Sequence, residues 1–286
     1  KNFKNFLLNK NFNILCLDIK KKPNHKISNK IIYLKKNVNN PKALLEAIKL
    51  SDKKFAGIDY VIDCSYPSMI VDRKTKRNNY QLLKKSISNN ISSPIMICEI
   101  FCEYFKNKKK SGNLILLSSI QGVMAPKFKH YLKTNMNSPV EYTALKFGIV
   151  GIVKYFAKLY GEFNINVNCI SPGGILNKQP KIFIKNYKND CLVKGMLDPD
   201  DLNSALEFLM NENSKMVNGQ NLIIDDVVGR LTKMSKCIFL FLIIFMACFQ
   251  DKNSGEFEVA SFFGLLIKFT PYNLAIFSSF TLSEEI

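Results

Sequence analysis

Apolar runs of strand length alternate along this chain with longer segments whose apolar residues recur every three to four positions. Residues 12–17 read as a strand closed by Asp18, residues 30–34 as a second and residues 60–62 as a short buried third. Residues 113–117 carry almost no polar alternation, the mark of a strand covered on both faces. Residues 165–170 and 220–224 follow as two more strands. Between them the spacing predicts helices over 41–50, with Pro at the start, over 80–106, over 140–159, with Gly161 as the stop, and over 198–210, opened by an acidic cap. Residues 1–10 read as the end of a further helix.

This order predicts an α/β fold, a parallel sheet with helices on both faces. Such sheets hold ligands at the carboxyl ends of their strands. The positions to examine are therefore Asp18, Asn37, residues 63–66, Ser118 and Ser119, and residues 171–174.

Composition narrows the partners. With 286 residues, 47% hydrophobic, the chain suits one large domain, alone or with an appendage. The net charge of +18 is spread over scattered lysines, with short runs at 20–22 and 108–110 and no interleaved aromatic stripe. A solvated basic surface explains that better than a nucleic-acid site; an anionic small substrate is a further reading. The eight cysteines show no metal-ligand spacing, and Cys98 and Cys102 fall on one helix face as packing residues, so no metal is expected. Scattered free thiols suit a reducing cytoplasm. His25 and His130 sit in lysine-rich stretches without the surroundings of a Ser/His/Asp triad.

The last stretch is different. Residues 1–233 hold 38 Lys and Arg against 18 Asp and Glu, whereas residues 234–286 hold 3 against 5. Residues 237–249 form an apolar run of 13, short for a membrane span. Met234-Ser235-Lys236 ahead of it resembles the start of a secreted lipoprotein. A fused or read-through product is the first reading of this tail, a docked hydrophobic helix the second and a membrane anchor the third. The expected division is a domain over 1–229 and a tail over 230–286.

The chemistry concentrates at Tyr142-Thr-Ala-Leu-Lys146. Positions four apart share a helix face, so a phenol and an ammonium stand side by side. The cation is expected to lower the phenol's pKa toward working pH, and such a phenol exchanges a proton with an alcohol or carbonyl oxygen. Ser119, ending a buried strand, can hydrogen-bond the same oxygen. That set suits alcohol–ketone redox chemistry with hydride from a nicotinamide.

The order strand–Ser118-Ser119, then Tyr142-x-x-x-Lys146, then Ser171-Pro172-Gly173-Gly174 resembles the short-chain dehydrogenase/reductase family over roughly residues 1–229. The resemblance implies a Rossmann-like, doubly wound sheet and catalytic roles for Ser119, Tyr142, Lys146 and Asn90, with Asn89 as fallback for the last. It implies cofactor contacts from Asp18, Asn37, Ser65, Tyr142, Lys146, Pro172, Gly173 and Ile175. Asp18, after the second strand of that family's fold, favours NAD over NADP. It also implies a homo-oligomer. Ser65-Tyr66-Pro67, residues 174–180 and the 23-position step from Ser119 to Tyr142 resemble the flagellin-modification protein A branch. That branch implies a sugar or nucleotide-sugar substrate in surface-glycan synthesis, with the insert at the substrate mouth.

The pattern departs from the family at the amino-terminal side. No glycine-rich phosphate-binding turn is present, and the first strand that precedes it is expected to be absent, the chain being a fragment. Asp63-Cys64-Ser65 stands in place of the usual Asn-Asn-Ala. A catalytically silent remnant of the same fold and a membrane-associated protein using the tail therefore stay open beside the oxidoreductase.

Overall fold

The computed structural model describes residues 2–19, 29–65, 80–226, 257–259 and 267–269. Within them strands and helices alternate as α1 (Asn2–Asn9), β1 (Ile14–Asp18), β2 (Ile31–Lys35), α2 (Pro41–Phe55), β3 (Tyr60–Asp63), α3 (Tyr80–Asn107), β4 (Gly112–Leu117), α4 (Val140–Tyr160), β5 (Ile165–Pro172), α5 (Lys181–Lys188), α6 (Asn203–Met210) and β6 (Asn221–Ile224). The chain divides into two units, Lys1–Val228 and Gly229–Ile286. In the second, β7 (Phe257–Val259) pairs antiparallel with β8 (Ile267–Phe269). The apolar run 237–249, the lysine run 20–22, His25, Tyr66 and Pro67 lie outside the described residues, as does the side chain of Asn89. Among the described residues no helix is long and apolar enough to cross a membrane.

Two parallel sheets carry the first unit. β3-β4-β5-β6 form one in that order, and β1-β2 the other. β4 is central, and its residues explain why. Leu114 and Leu116 point into a core shared with α2, α3 and α4, whereas Ile115 points into a second core closed by α1 and α6. Both faces are dry, so the strand's run needs no polar alternation. The two sheets feed the same cores. Leu17 of β1 and Val61 of β3 pack into the first, Ile14 and Ile62 into the second, and Phe12 meets Tyr60 edge to face at 5.7 Å.

Local signals place the helices. Asn40 accepts from the Lys42 amide at 3.0 Å and Pro41 presets the first turn, while Ala56 closes α2 in the left-handed region. Asp198 opens the segment before α6, its amide donating to Asp201 at 2.8 Å, but that segment starts as a 3-10 turn over Pro199–Leu202. Gly161 lies just past the end of α4, where the sequence placed it. It keeps right-handed angles and continues into a 3-10 turn, Gly161–Phe163, which Asn164 ends with φ 58°. Asn tolerates that conformation, and its backbone amide closes the turn on the Gly161 carbonyl at 3.1 Å. The spacing also passed over α5, whose two turns carry only Phe183 and Tyr187 as buried residues.

Gly112 illustrates the tightness of the main core. A Cβ there would overlap the ring of Phe105, itself fully buried. Gly112→Ala is expected to cost about 1–3 kcal/mol of stability as an overpacking change, read as a lowered midpoint in urea unfolding with an unchanged slope.

Candidate active site

The carboxyl ends of β3, β4 and β5 lie side by side. In register, Asp63 stands opposite Leu116, and Leu117 opposite Ile170. α4 crosses this edge, and two hydrogen bonds fasten it there. The Lys146 amine donates to the Leu117 carbonyl at 2.8 Å, and the Ser118 hydroxyl donates to the Lys146 carbonyl at 2.8 Å. Gly122 permits the approach, since a Cβ at that position would lie 2.6 Å from the Lys146 carbonyl oxygen.

Ser119 is buried and opens a 3-10 turn, Ile120–Gly122, its hydroxyl accepting from the Gln121 amide at 3.2 Å. Tyr142 is half-buried. Burial pushes its phenol above the ordinary range, a hydrogen bond from Ser119 pulls the other way, and nearby Tyr131 adds to the rise. This corrects the expectation that Lys146 lowers the phenol's pKa. The amine lies 5.8 Å from the centre of the Tyr142 ring and is turned to the Leu117 carbonyl, so burial dominates and Tyr142 is held as a neutral phenol. Burial likewise draws Lys146 down to about 8, against the opposing pull of Asp63.

A cavity of about 20 Å³ lies under these groups, room for one water molecule. Asp63, Ser65, Asn90, Ser93, Tyr142 and Lys146 supply its polar lining. The Asn90 amide donates to the Ser86 carbonyl at 2.8 Å. Pro94 interrupts α3 one turn later. Having no N–H, it leaves the Asn90 carbonyl without its usual helical donor. The Ser93 hydroxyl is buried with no hydrogen-bond partner.

The other sequence-derived positions fall along the same carboxyl edge but not in this cavity. Asp18 ends β1, exposed to solvent. Asn37 follows β2 and uses its side-chain oxygen to accept from the Asn39 amide at 3.0 Å. Pro172 ends β5, and Gly173 donates to the Ile224 carbonyl at 2.8 Å. Ile175 bridges to Leu197. Tyr187 of α5 pins this loop, its hydroxyl accepting from the Gly174 amide at 2.6 Å. A Cβ on Gly173 would press on that hydroxyl and on Asp225 at 3.0 Å.

Several residues of the site region were not read from the sequence. His130, taken as part of a polar lysine-rich stretch, is buried at 3% exposure. Its ring nitrogen meets Asp190 at 2.6 Å, and its ring packs against Tyr187 at 4.9 Å. Asp190 also binds Lys129 at 2.5 Å. The clasp ties the 3-10 turn Phe128–Tyr131 to the end of α5. Gln121 binds Ser138, Thr143 and Tyr131 and so braces the same insert against α4. These partners lie up to 61 residues apart, beyond any local spacing signal. Among the described residues no cluster suits a metal ion. Cys98 and Cys102 are fully buried packing residues.

A family model described as enoyl-(acyl carrier protein) reductase matches residues 19–226. Post-translational flagellin modification protein A of Campylobacter coli is 36% identical over 201 residues, 70% of this chain and 78% of that protein. A 3-oxoacyl-(acyl-carrier-protein) reductase of Chlamydia trachomatis is 32% identical over 145 residues, 49% of this chain and 53% of that protein. Among solved structures, a short chain dehydrogenase from Leptospira borgpetersenii with bound NAD+ aligns with a TM-score of 0.70 at 27% identity, covering 79% of this chain and 86% of that one.

The Asp190 clasp has a definite pH signature. Burial alone would raise this carboxyl, but hydrogen bonds from Lys129 and His130 and the charge of Lys127 override it and hold it below 3.8. Burial keeps His130 below its ordinary range, so the imidazole is neutral and donates to the carboxylate. A depressed carboxylate stabilises the fold above its unfolded pKa, and the gain fades as pH falls through the folded value. Asp190→Asn is therefore expected to lose about 1–3 kcal/mol at neutral pH. In urea unfolding the gap to the parent should close as the pH is taken below the ordinary Asp value of 3.8.

Proposed function

The chain belongs to the short-chain dehydrogenase/reductase family, and from that premise we propose that it is an NAD-dependent oxidoreductase that interconverts a hydroxyl and a carbonyl on a sugar or nucleotide sugar. The observation that carries this reading is the convergence of Tyr142, Lys146 and Asn90 on one small cavity at the carboxyl edge, with Ser119 hydrogen-bonded to Tyr142. No metal or thiol nucleophile is needed for such a reaction.

The residues present suit a nicotinamide dinucleotide at its two ends. Asp18 offers a carboxylate to ribose hydroxyls and repels a 2′-phosphate, which favours NAD over NADP. Asn37 follows β2 and Ser65 follows β3, and this reading gives the reacting end to Lys146, Tyr142, Pro172, Gly173 and Ile175. Among the described residues no glycine-rich turn takes the phosphates. When bound, the reduced cofactor supplies hydride to the carbonyl carbon.

The protein's own part is proton transfer and positioning. Ser119 and Tyr142 hold the carbonyl oxygen between two hydroxyls. A neutral Tyr142 is the acid that carbonyl reduction requires, and it passes its proton to the oxygen as charge builds there. Lys146, turned to the Leu117 carbonyl, is read by likeness to the family as a contact for the nicotinamide ribose.

The insert before α4 supports the substrate class. Lys127, Lys129 and Lys133 lie on it, and Asp190 balances only part of that charge. A phosphate-bearing sugar suits such a mouth. The Campylobacter coli relative, a flagellin modification protein by name, points the same way. A homo-oligomer is part of this reading, by likeness to the family.

A second reading, a non-catalytic protein of the same fold, draws on the absence of a phosphate turn among the described residues and on the separate β1-β2 sheet. NADH titration by calorimetry separates the two, since micromolar or tighter binding supports the enzyme. The activity test is NADH oxidation with free and nucleotide-linked keto sugars, using 3-oxoacyl thioesters as the contrasting class. Tyr142→Phe is expected to lower turnover by about 10²-fold or more, the lower end of what a general acid contributes, while NADH affinity stays within a few-fold. Turnover retained by the variant, or confined to the thioesters, overturns the assignment.

A further inference from the structure

Asp63 lies at the end of β3, one strand away from the carbonyl that receives the Lys146 amine. Its side chain shares the small cavity with Lys146, Tyr142, Asn90 and Ser93. One carboxylate oxygen accepts from the Ser65 amide at 2.9 Å, which fixes its orientation. The cavity has room for about one water, so little solvent screens these groups from one another.

We infer that Asp63 is a positioning residue for the reaction: its carboxylate, sharing one small cavity with Lys146, holds the positive charge on that amine at working pH. The inference rests on the reading of Tyr142 as the acid of an NADH-dependent carbonyl reduction.

The surrounding charges favour this role. Lys146 is faced by Tyr142 on its own helix, by Asp63 and Cys64 at the end of β3, and by Cys169 on β5. Asp63 is faced by Lys146, Cys64 and, from α3, Cys98. Burial pushes the Cys98 and Cys169 thiols up, so they stay neutral. Asp63 is thus the carboxylate among these groups that opposes the cost of burying the ammonium. Burial pushes its own carboxyl up as well, and the Ser65 hydrogen bonds and Lys146 draw it back.

Trace acetylation of the purified full chain with acetic anhydride, followed by mass spectrometry of the Lys146 peptide across pH, reads the titration of this amine without substrate or cofactor. In the parent the midpoint is expected near 8, against the ordinary 10.5. Asp63→Asn keeps an acceptor for the Ser65 amide but removes the charge. It is expected to lower the Lys146 midpoint by about one pH unit, the size of effect that a close opposite charge exerts. Asp63→Glu should restore it. A parent midpoint near the ordinary lysine value overturns the inference with no variant needed, and so does an unmoved midpoint in a folded Asp63→Asn protein. Because the labelling needs no turnover, its failure is distinct from a failure of the keto-sugar assay.

Discussion

The site depends on a reciprocal fastening between α4 and the end of β4. Lys146 reaches out to the Leu117 carbonyl, and Ser118 reaches back to the Lys146 carbonyl. Each bond alone is modest, but together they fix both the amine and the backbone behind it against one strand end. Gly122 has to lack a side chain for this contact to form. Tyr142 sits one helical turn before Lys146, so its place follows from the same fastening. Ser119, the residue after Ser118, is then delivered to the Tyr142 hydroxyl by the chain direction of β4. Proton chemistry at this edge is a consequence of how one helix is tied to one buried strand.

Burial is the cost of that arrangement, and it shapes the chemistry. A phenol and an ammonium taken out of water both shift toward their neutral forms. The neutral phenol is useful for reduction, but an ammonium that loses its proton too readily is not. A carboxylate within the same cavity offsets the loss. The small volume matters as much as the charge, since a space with room for about one water keeps the local dielectric low, whereas bulk solvent would screen the pair.

Much of this was legible in the sequence because it is local. The uniform apolar run of β4, the Tyr142–Lys146 spacing and the serines at the strand end each encode their own geometry. The strands and the longer helices fall where the two periodicities place them, to within a few residues. What escaped is non-local or competitive. His130 looked like a surface residue because its neighbours are lysines, yet its partner Asp190 lies 60 residues away. The helix α5 is only eight residues long and spends its few apolar residues on the mouth and loop rather than on the main core, so it leaves too short a pattern to stand out. The pKa of Tyr142 was misjudged because adjacency on a helix says nothing about where a flexible amine finds its best acceptor.

The two kinds of feature divide the site's labour. The groups that the proposed reaction uses for proton transfer sit on α4 and at the end of β4, held by main-chain contacts that tolerate little change. Groups that face the mouth sit on the insert and on α5, joined by the Asp190 clasp, the Gln121 brace and aromatic contacts among His130, Tyr131, Phe183 and Tyr187. The mouth touches the chemical centre at few points, chiefly Tyr131 beside Tyr142 and Tyr187 under the Gly174 amide. A mouth built this way can change its charge and shape while the proton path beneath it stays in place. On the proposed function, substrate class is therefore written in the insert, and reaction class in the strand ends.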